Sequence, residues 1–366
     1  MKAAIFDAPG RQLAIEHLEI DQPHAGEILV KLAASGVCHS DYHVVLGEWA
    51  SPTPIVLGHE GAGMVEAVGD GVTGVVPGDH VILSWTPYCG RCSYCLRGRP
   101  SLCEVAAKTT YESVLFDGTT RIRRGEENVH AYLSVGSFAE YAVVPETGSV
   151  VIAKDVPLDL ASIVGCAVTT GIGAAINTAS VEPGSSVVVI GCGGVGLSIV
   201  MGAALVSAHP IIAVDVVDSK LALAERVGAT EVVNSRRQDM SDVVRQLTHG
   251  RGVDYAFEAI GLASTIESAY EALAPGGTAV VVGQAAEGVK ASFDPQVMSD
   301  REKRLIGCNY GSARPPLDFQ RIIDLSMAGK IDLEALVSQR IGLEEVNDAF
   351  AAMGRGEVAR SIICYS

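Results

Sequence analysis

The stretch SSVVVIGCGGVGLSIVMGAALVSAHPIIAVDVV, residues 185–217, decides the fold. It opens on an unbroken β-branched apolar run, turns on glycines, continues through small residues suited to a close-packed helix, and ends in a second apolar run. Within it, Gly191, Gly193 and Gly196 supply G-x-G-x-x-G, with Cys192, Gly194 and Val195 between them. The first two glycines allow a tight turn and bring backbone N–H groups close to a pyrophosphate, and the third lets helix and strand touch. The second strand ends at Asp215, nineteen residues past Gly196. A carboxylate there accepts hydrogen bonds from the ribose hydroxyls of adenosine and repels a 2′-phosphate, which favours NAD over NADP. Lys220, on the following helix, is a candidate for the same ribose.

Downstream the pattern repeats: SKLALAERVGA (helix), EVVN (strand), SDVVRQLTHG (helix), VDYAFEAIG (strand), STIESAYEALAPGG (helix) and TAVVVG (strand). Strict β–α alternation with near-continuous apolar strands predicts a doubly wound parallel sheet covered on both faces. Upstream of about residue 160 the texture differs. Runs such as EILVKLAASGVC, PGDHVILSW and FAEYAVVP are β-branched and broken by Gly and Pro, which predicts an irregular, mostly antiparallel β domain. Residues 104–135 read as a polar surface excursion with little core. The tail from about residue 312, two helices and the strand RSIICYS, is expected to return to the first domain.

At 366 residues, 48% of them apolar, two cores are expected. The formal net charge of −16 disfavours nucleic acid and anionic membranes as partners. No run long and apolar enough to span a bilayer is expected. The start MKAAIFDAPG reads as a first strand, without the apolar core of a signal peptide. Nine cysteines, four of them clustered, fit a reducing cytoplasm better than a disulfide framework.

That cluster is CGRCSYCLRGRPSLC: Cys89, Cys92, Cys95 and Cys103. Four thiolates can close a tetrahedron around zinc at about 2.3 Å per bond, leaving no position for substrate. The same spacing also resembles an iron–sulfur ligand run. Three further motifs hold candidate ligands: Cys38 in GVCHSDYH, His59-Glu60 in VLGHEGAG, and Cys166 in GCAVTTG.

Together these motifs resemble the zinc-dependent medium-chain alcohol dehydrogenases over nearly the whole chain. Gly58-His59-Glu60 is followed by Gly63, Gly69 and Val72 at the family's spacings, and the cysteine lobe and glycine turn stand in the family's order. The resemblance decides zinc for the lobe. It implies a Rossmann NAD domain, residues 168–310, inserted in a GroES-like catalytic domain, residues 1–167 and 311–366, with two zinc ions per chain. Cys38, His59 and Cys166 would hold the catalytic zinc, with Asp41 orienting the histidine and Glu60 approaching the metal during ligand exchange.

The resemblance also implies that Ser40 takes the alcohol proton and passes it, by way of the nicotinamide ribose, to His43. His39 and Arg360 match residues against the pyrophosphate. Thr170, Val195 and Val282 match residues packed on the nicotinamide ring. Trp49, Trp85 and Tyr132 fall in the substrate wall, pointing to primary aromatic or allylic alcohols oxidised reversibly to aldehydes. The 104–135 excursion most resembles the glutathione-dependent formaldehyde dehydrogenase branch and its dimeric relatives, so a homodimer is expected. Yet His43 stands where that branch commonly has tyrosine, and HVVLGEWASPTP lacks the acidic pattern for a glutathione adduct. Thiol-dependent formaldehyde oxidation stands as the alternative, and a non-catalytic NAD-binding protein as a third reading.

Overall fold

The computed structural model describes residues 1–365; Ser366, the last residue of the expected final strand and of the expected 311–366 segment, lies outside the described residues. By internal contacts the chain forms two units. One holds Met1–Cys166, Arg314–Met327 and the chain from Val337 on; the other holds Ala167–Ala313 and Ala328–Leu336. The segment Ala328–Leu336 therefore groups with the second unit, whereas the expected range 311–366 assigns it to the first. An ion pair between Arg226 and Asp332 at 2.7 Å lies within this grouping.

Among the described residues, the first unit carries two sheets. Its spine is the eleven-residue strand Glu27–Val37, buried along both faces for most of its length. Glu60–Val68, Tyr141–Pro145 and the returning tail strand Arg360–Cys364 all pair antiparallel with it. The expected mostly antiparallel β domain is present. Ile28, Val30, Leu32, Val65, Val81 and Leu83 build one core here. Phe6, Ile55, Phe138 and Phe350 belong to a second. Register matters most at one point: Gly36 lies opposite Glu60, so the residues just beyond the two strand ends, Cys38 and His59, fall side by side.

The second unit is a six-stranded parallel sheet in the spatial order Glu231–Asn234, Ile211–Asp215, Val187–Ile190, Val253–Glu258, Leu273–Val281, Arg304–Gly307. This is the expected doubly wound sheet. The chain order reverses between Val187–Ile190 and Val253–Glu258. That switch is where open α/β sheets bind ligands, outside the carboxyl ends of the strands.

Two expectations need correction. Residues 104–135 are no bare surface loop: Glu104–Glu112 is helical, Ile122–Arg124 and Glu127–Ala131 pair as strands, and Ala106, Leu115, Ile122 and Val129 are buried. Gly125–Asn128 are exposed as the composition suggests, but Arg121 is not: its guanidinium is buried and donates to Glu27 at 2.6 and 2.9 Å and to Asp117 at 2.6 Å. A charged residue paired inside reads as solvent-facing in a composition scan. Second, one helical run, Leu158–Thr178, is long and apolar enough by length and composition to cross a membrane, and 78% of its apolar window is buried inside the protein. A core helix surrounded by protein needs the same composition as one surrounded by lipid.

Candidate active site and metal centres

In the first unit, the strand Glu27–Val37 hands over directly to the helix His39–Leu46, with Cys38 as its N-cap. Asp41, in the helix's first turn, accepts from the Cys38 backbone N–H at 3.2 Å, a capping contact that fixes Cys38. The same carboxylate accepts from the Gly58 N–H at 2.9 Å and from the His59 Nδ1–H at 3.2 Å. One fully buried acid thus ties together the loops that carry two of the expected ligands. Cys166 arrives from a π-helical turn, Val164–Val168. That turn packs so closely on the strand His80–Leu83 that a Cβ on Gly165 would come within 2.7 Å of the Leu83 carbonyl oxygen.

The outcome is a buried cluster in which one donor atom each from Cys38, His59, Glu60 and Cys166 lies within 4.8 Å of the others. With Nδ1 held by Asp41, the His59 ring presents Nε2 to the cluster, and that buried nitrogen has no hydrogen-bond partner. A buried polar atom without a partner is costly unless something else satisfies it. A soft or borderline cation facing two sulfurs and one imidazole does so, and the donor set suits zinc.

The groups of the cluster are tightly coupled to one another. Cys38 is held well below the usual thiol range by its hydrogen bond from Cys166, burial opposing, with Arg360 and His59 assisting. Cys166, as the proton-bearing partner, is pushed well up by that bond and by burial. Burial works against charge on His59, but the negative fields of Asp41 and Cys38 outweigh it and hold the ring's pKa well above the ordinary value.

The second cluster is the cysteine lobe. One sulfur each from Cys89, Cys92, Cys95 and Cys103 lies within 4.8 Å of the others. Backbone N–H groups, Cys95's foremost, lower Cys92 to about 6, while burial and its neighbour Cys92 push Cys95 up to about 12. All nine cysteines are free thiols, with no disulfide among the described residues.

In the second unit, Gly191 has φ +96° and opens the turn. A Cβ on Gly196 would overlap the Gly191 carbonyl oxygen, so the helix Gly194–Leu205 can start only from glycine there. Gly193 differs, because a Cβ would meet nothing within 4 Å. Nothing in the protein's own packing demands glycine at 193, while close approach of a ligand would. Asp215 sits beside this turn, accepting from Cys192 N–H at 2.8 Å, Val216 N–H at 2.7 Å and Val217 N–H at 3.0 Å.

Comparison with known proteins draws the two halves into one family. A model described as alcohol dehydrogenase GroES-like domain matches residues 24–155, and one described as zinc-binding dehydrogenase matches residues 194–328. Over 369 aligned residues the chain is 38% identical to S-(hydroxymethyl)glutathione dehydrogenase of Escherichia coli O6:H1, covering 100% of this chain and 99% of that protein. The chain belongs to the zinc-dependent medium-chain alcohol dehydrogenases. The crystal structure of an alcohol dehydrogenase zinc-binding domain protein from Burkholderia ambifaria superposes with a TM-score of 0.96 at 37% identity, covering 100% of this chain and 98% of that one. Benzyl alcohol dehydrogenase from Acinetobacter calcoaceticus superposes at 0.95 with 36% identity, covering 100% and 99%.

Within this zinc-dependent dehydrogenase, Ser40 Oγ lies 3.7 Å from Cys38 Sγ, and His43 follows three residues later on the same helix. Lys220 lies on the helix after Asp215 and exerts its charge on Cys192, at the glycine turn. Thr170 sits on the helix Thr169–Gly173, which abuts the glycine-turn helix where a Cβ on Gly171 would overlap Val195's carbonyl oxygen. Val282 is buried just past the strand Leu273–Val281. His39 is exposed, its ring 6.4 Å from those of Tyr42 and His43.

Arg360, expected against the pyrophosphate, lies at the end of the strand Glu27–Val37. It is buried, donates to Val37's carbonyl and to Glu60 at 2.8 Å each, and reaches within 3.7 Å of Cys38 Sγ. Tyr132, expected in the substrate wall, sets its ring edge against His59 at 5.7 Å and donates its hydroxyl to Ser40's carbonyl. Trp85 packs against the β core, and Trp49 stacks one face on the His43 ring at 4.5 Å. Glu48 is a residue that sequence reasoning passed over: its carboxylate bonds His43 Nδ1. The available signal was an acid directly after Gly47, the left-handed residue that ends the helix.

Proposed function

We propose that this zinc-dependent dehydrogenase uses NAD to oxidise primary alcohols, aromatic or allylic ones foremost, reversibly to aldehydes. The observation that carries the reading is the buried Cys38, His59 and Cys166 cluster, with Nε2 of His59 aimed in and unpartnered. When bound, zinc supplies Lewis acidity toward the alcohol oxygen and NAD accepts the hydride, so that alcohol and NAD⁺ become aldehyde, NADH and a proton.

The chain's own residues hold and move that proton. Cys38, His59 and Cys166 are the catalytic-zinc ligands, and Cys89, Cys92, Cys95 and Cys103 hold the structural zinc. Asp41 fixes the His59 tautomer through Nδ1. Ser40 Oγ receives the alcohol proton and His43 releases it; positions three apart on a helix share a face, which suits a short transfer. Asp215 selects NAD: its two oxygens are fixed by three backbone N–H groups, so a 2′-phosphate would meet an immovable negative charge. Thr170, Val195 and Val282 orient the nicotinamide, and Gly191, Gly193, Gly194 and Gly196 admit the pyrophosphate.

The aromatic preference draws support from the Acinetobacter calcoaceticus relative, which is a benzyl alcohol dehydrogenase, and from Trp49, whose ring stacks on that of His43. A second reading, oxidation of a thiol–formaldehyde adduct, is favoured by the Escherichia coli relative named for S-(hydroxymethyl)glutathione. The homodimer and the cytoplasm remain part of the proposal, the latter supported by nine free thiols. NADH formation from benzyl alcohol, ethanol, 2-propanol and formaldehyde, each with and without glutathione, tests the choice. The largest kcat/KM is expected for benzyl alcohol without thiol. A clear 2-propanol preference, or activity only with formaldehyde plus glutathione, would overturn it.

A further inference from the structure

The helix His39–Leu46 ends at Gly47, whose φ of +76° reverses the chain. The reversal folds the next two residues back over the last turn: the Glu48 and Trp49 N–H groups both donate to the His43 carbonyl, at 2.9 and 3.3 Å. It also delivers both side chains to the His43 ring. Glu48's carboxylate bonds Nδ1, and the Trp49 indole lies along the ring face with centroids 4.5 Å apart and planes 23° apart. The indole is itself braced by the core that contains Phe350 and Val44. The other neighbouring ring, His39, stands 6.4 Å off and tilted by 52°.

An imidazole held this way has one nitrogen committed and one left over. A carboxylate accepts only, so Nδ1 must be the protonated nitrogen and Nε2 carries the free lone pair. A neutral imidazole in solution favours the opposite arrangement, with the proton on Nε2, which cannot accept there. We propose that Glu48 is a positioning residue for His43: with Trp49 clamping the ring face, it holds the imidazole in the Nδ1–H form, so that Nε2 is the single acceptor for the proton leaving the alcohol. This rests on the relay reading of His43 given above. In that step the Nε2 lone pair takes the proton, the ring becomes a cation whose Nδ1–H stays on Glu48, and loss of the Nε2 proton to water restores the start.

The test uses the full-length protein with isotopically labelled histidine ring nitrogens, and the His43→Asn spectrum identifies the His43 signals. Spectra at the alkaline end of a pH series, where the ring is neutral, should show Nδ1 protonated and Nε2 bare. Glu48→Ala should move His43 toward the Nε2–H form. For alcohol oxidation, kcat should fall about tenfold in Glu48→Ala, with KM for alcohol and NAD changed less than about twofold, and Glu48→Gln should lie between. The double variant with His43→Asn should be no slower than His43→Asn alone. An Nε2–H signal in the unaltered protein, full kcat in Glu48→Ala, or additive losses in the double variant would overturn the assignment. A protein that oxidises no alcohol would sink the functional reading, yet the spectrum would still support or overturn the role of Glu48.

Discussion

Asp41 and His59 meet at 3.2 Å with both side chains withdrawn from solvent, 0% and 1% exposed. The carboxylate that orients the imidazole is also the one that caps the Cys38 helix and accepts from the Gly58 N–H. Geometry at two ligand positions therefore depends on one acid. Asp41→Asn keeps the shape and removes the charge. Zinc affinity or kcat/KM should drop by about 10- to 100-fold. Metal content after dialysis against a graded chelator series, together with steady-state kinetics, checks it; an unchanged affinity and rate would contradict it.

Gly193 and Gly196 should separate folding from ligand binding. A methyl at 196 would overlap the Gly191 carbonyl, so Gly196→Ala should lower the melting temperature and the yield of folded protein. At 193 the same methyl meets only open space, so Gly193→Ala should melt like the parent and bind NAD about tenfold or more weakly. Thermal melts and dinucleotide titrations read the two effects apart. Equal melting losses in both variants would show that Gly193 serves packing instead.

Cys95 belongs to the lobe that is expected to hold a structural ion. Cys95→Ser should reduce the zinc from about two to about one per chain. Because such an ion contributes folding free energy, a loss of about 2 kcal/mol would lower the melting temperature by about 4–8 °C in a unit of this size. Full zinc occupancy in the variant would remove the lobe from the metal count.

Arg121 is the charge that organises residues 104–135. Arg121→Met leaves Glu27, 6% exposed, without its two guanidinium bonds, and should cost about 3–5 kcal/mol. Its other partner sets a pH dependence. Burial raises the Asp117 pKa, but hydrogen bonds from Arg121 and Thr119 outweigh that and depress it below the usual carboxylate value near 3.9. A depressed folded-state pKa means stability that is complete above the unfolded value and drains as pH falls through the folded one. Denaturant melts from about pH 6 to about pH 3 should therefore lose stability below about pH 4, and the Asp117→Asn variant should lose less over that range.

The parts of the molecule written in local pattern were legible before the fold was known. Val187–Ile190 and Ile211–Asp215 are unbroken apolar strands because a sheet covered on both faces leaves no position to alternate, and the glycine turn announces itself by spacing. The donors Cys38, His59 and Cys166, far apart in the chain, could be grouped only through family resemblance; the strand register brings Cys38 and His59 together, and the turn Val164–Val168 adds Cys166. What stayed hidden depends on pairs distant in sequence or on a single backbone reversal. Arg121 finds Glu27 across 94 residues and Arg360 finds Glu60 across 300, and neither pair leaves a periodic trace. Glu48 reaches His43 only because Gly47 turns the chain.

The most direct test removes zinc by chelation, returns it in known increments, and follows benzyl alcohol oxidation against the metal bound per chain. Activity should vanish with the metal of the Cys38, His59 and Cys166 cluster and return in proportion as that cluster refills. Oxidation at an undiminished rate in metal-free protein would contradict the account.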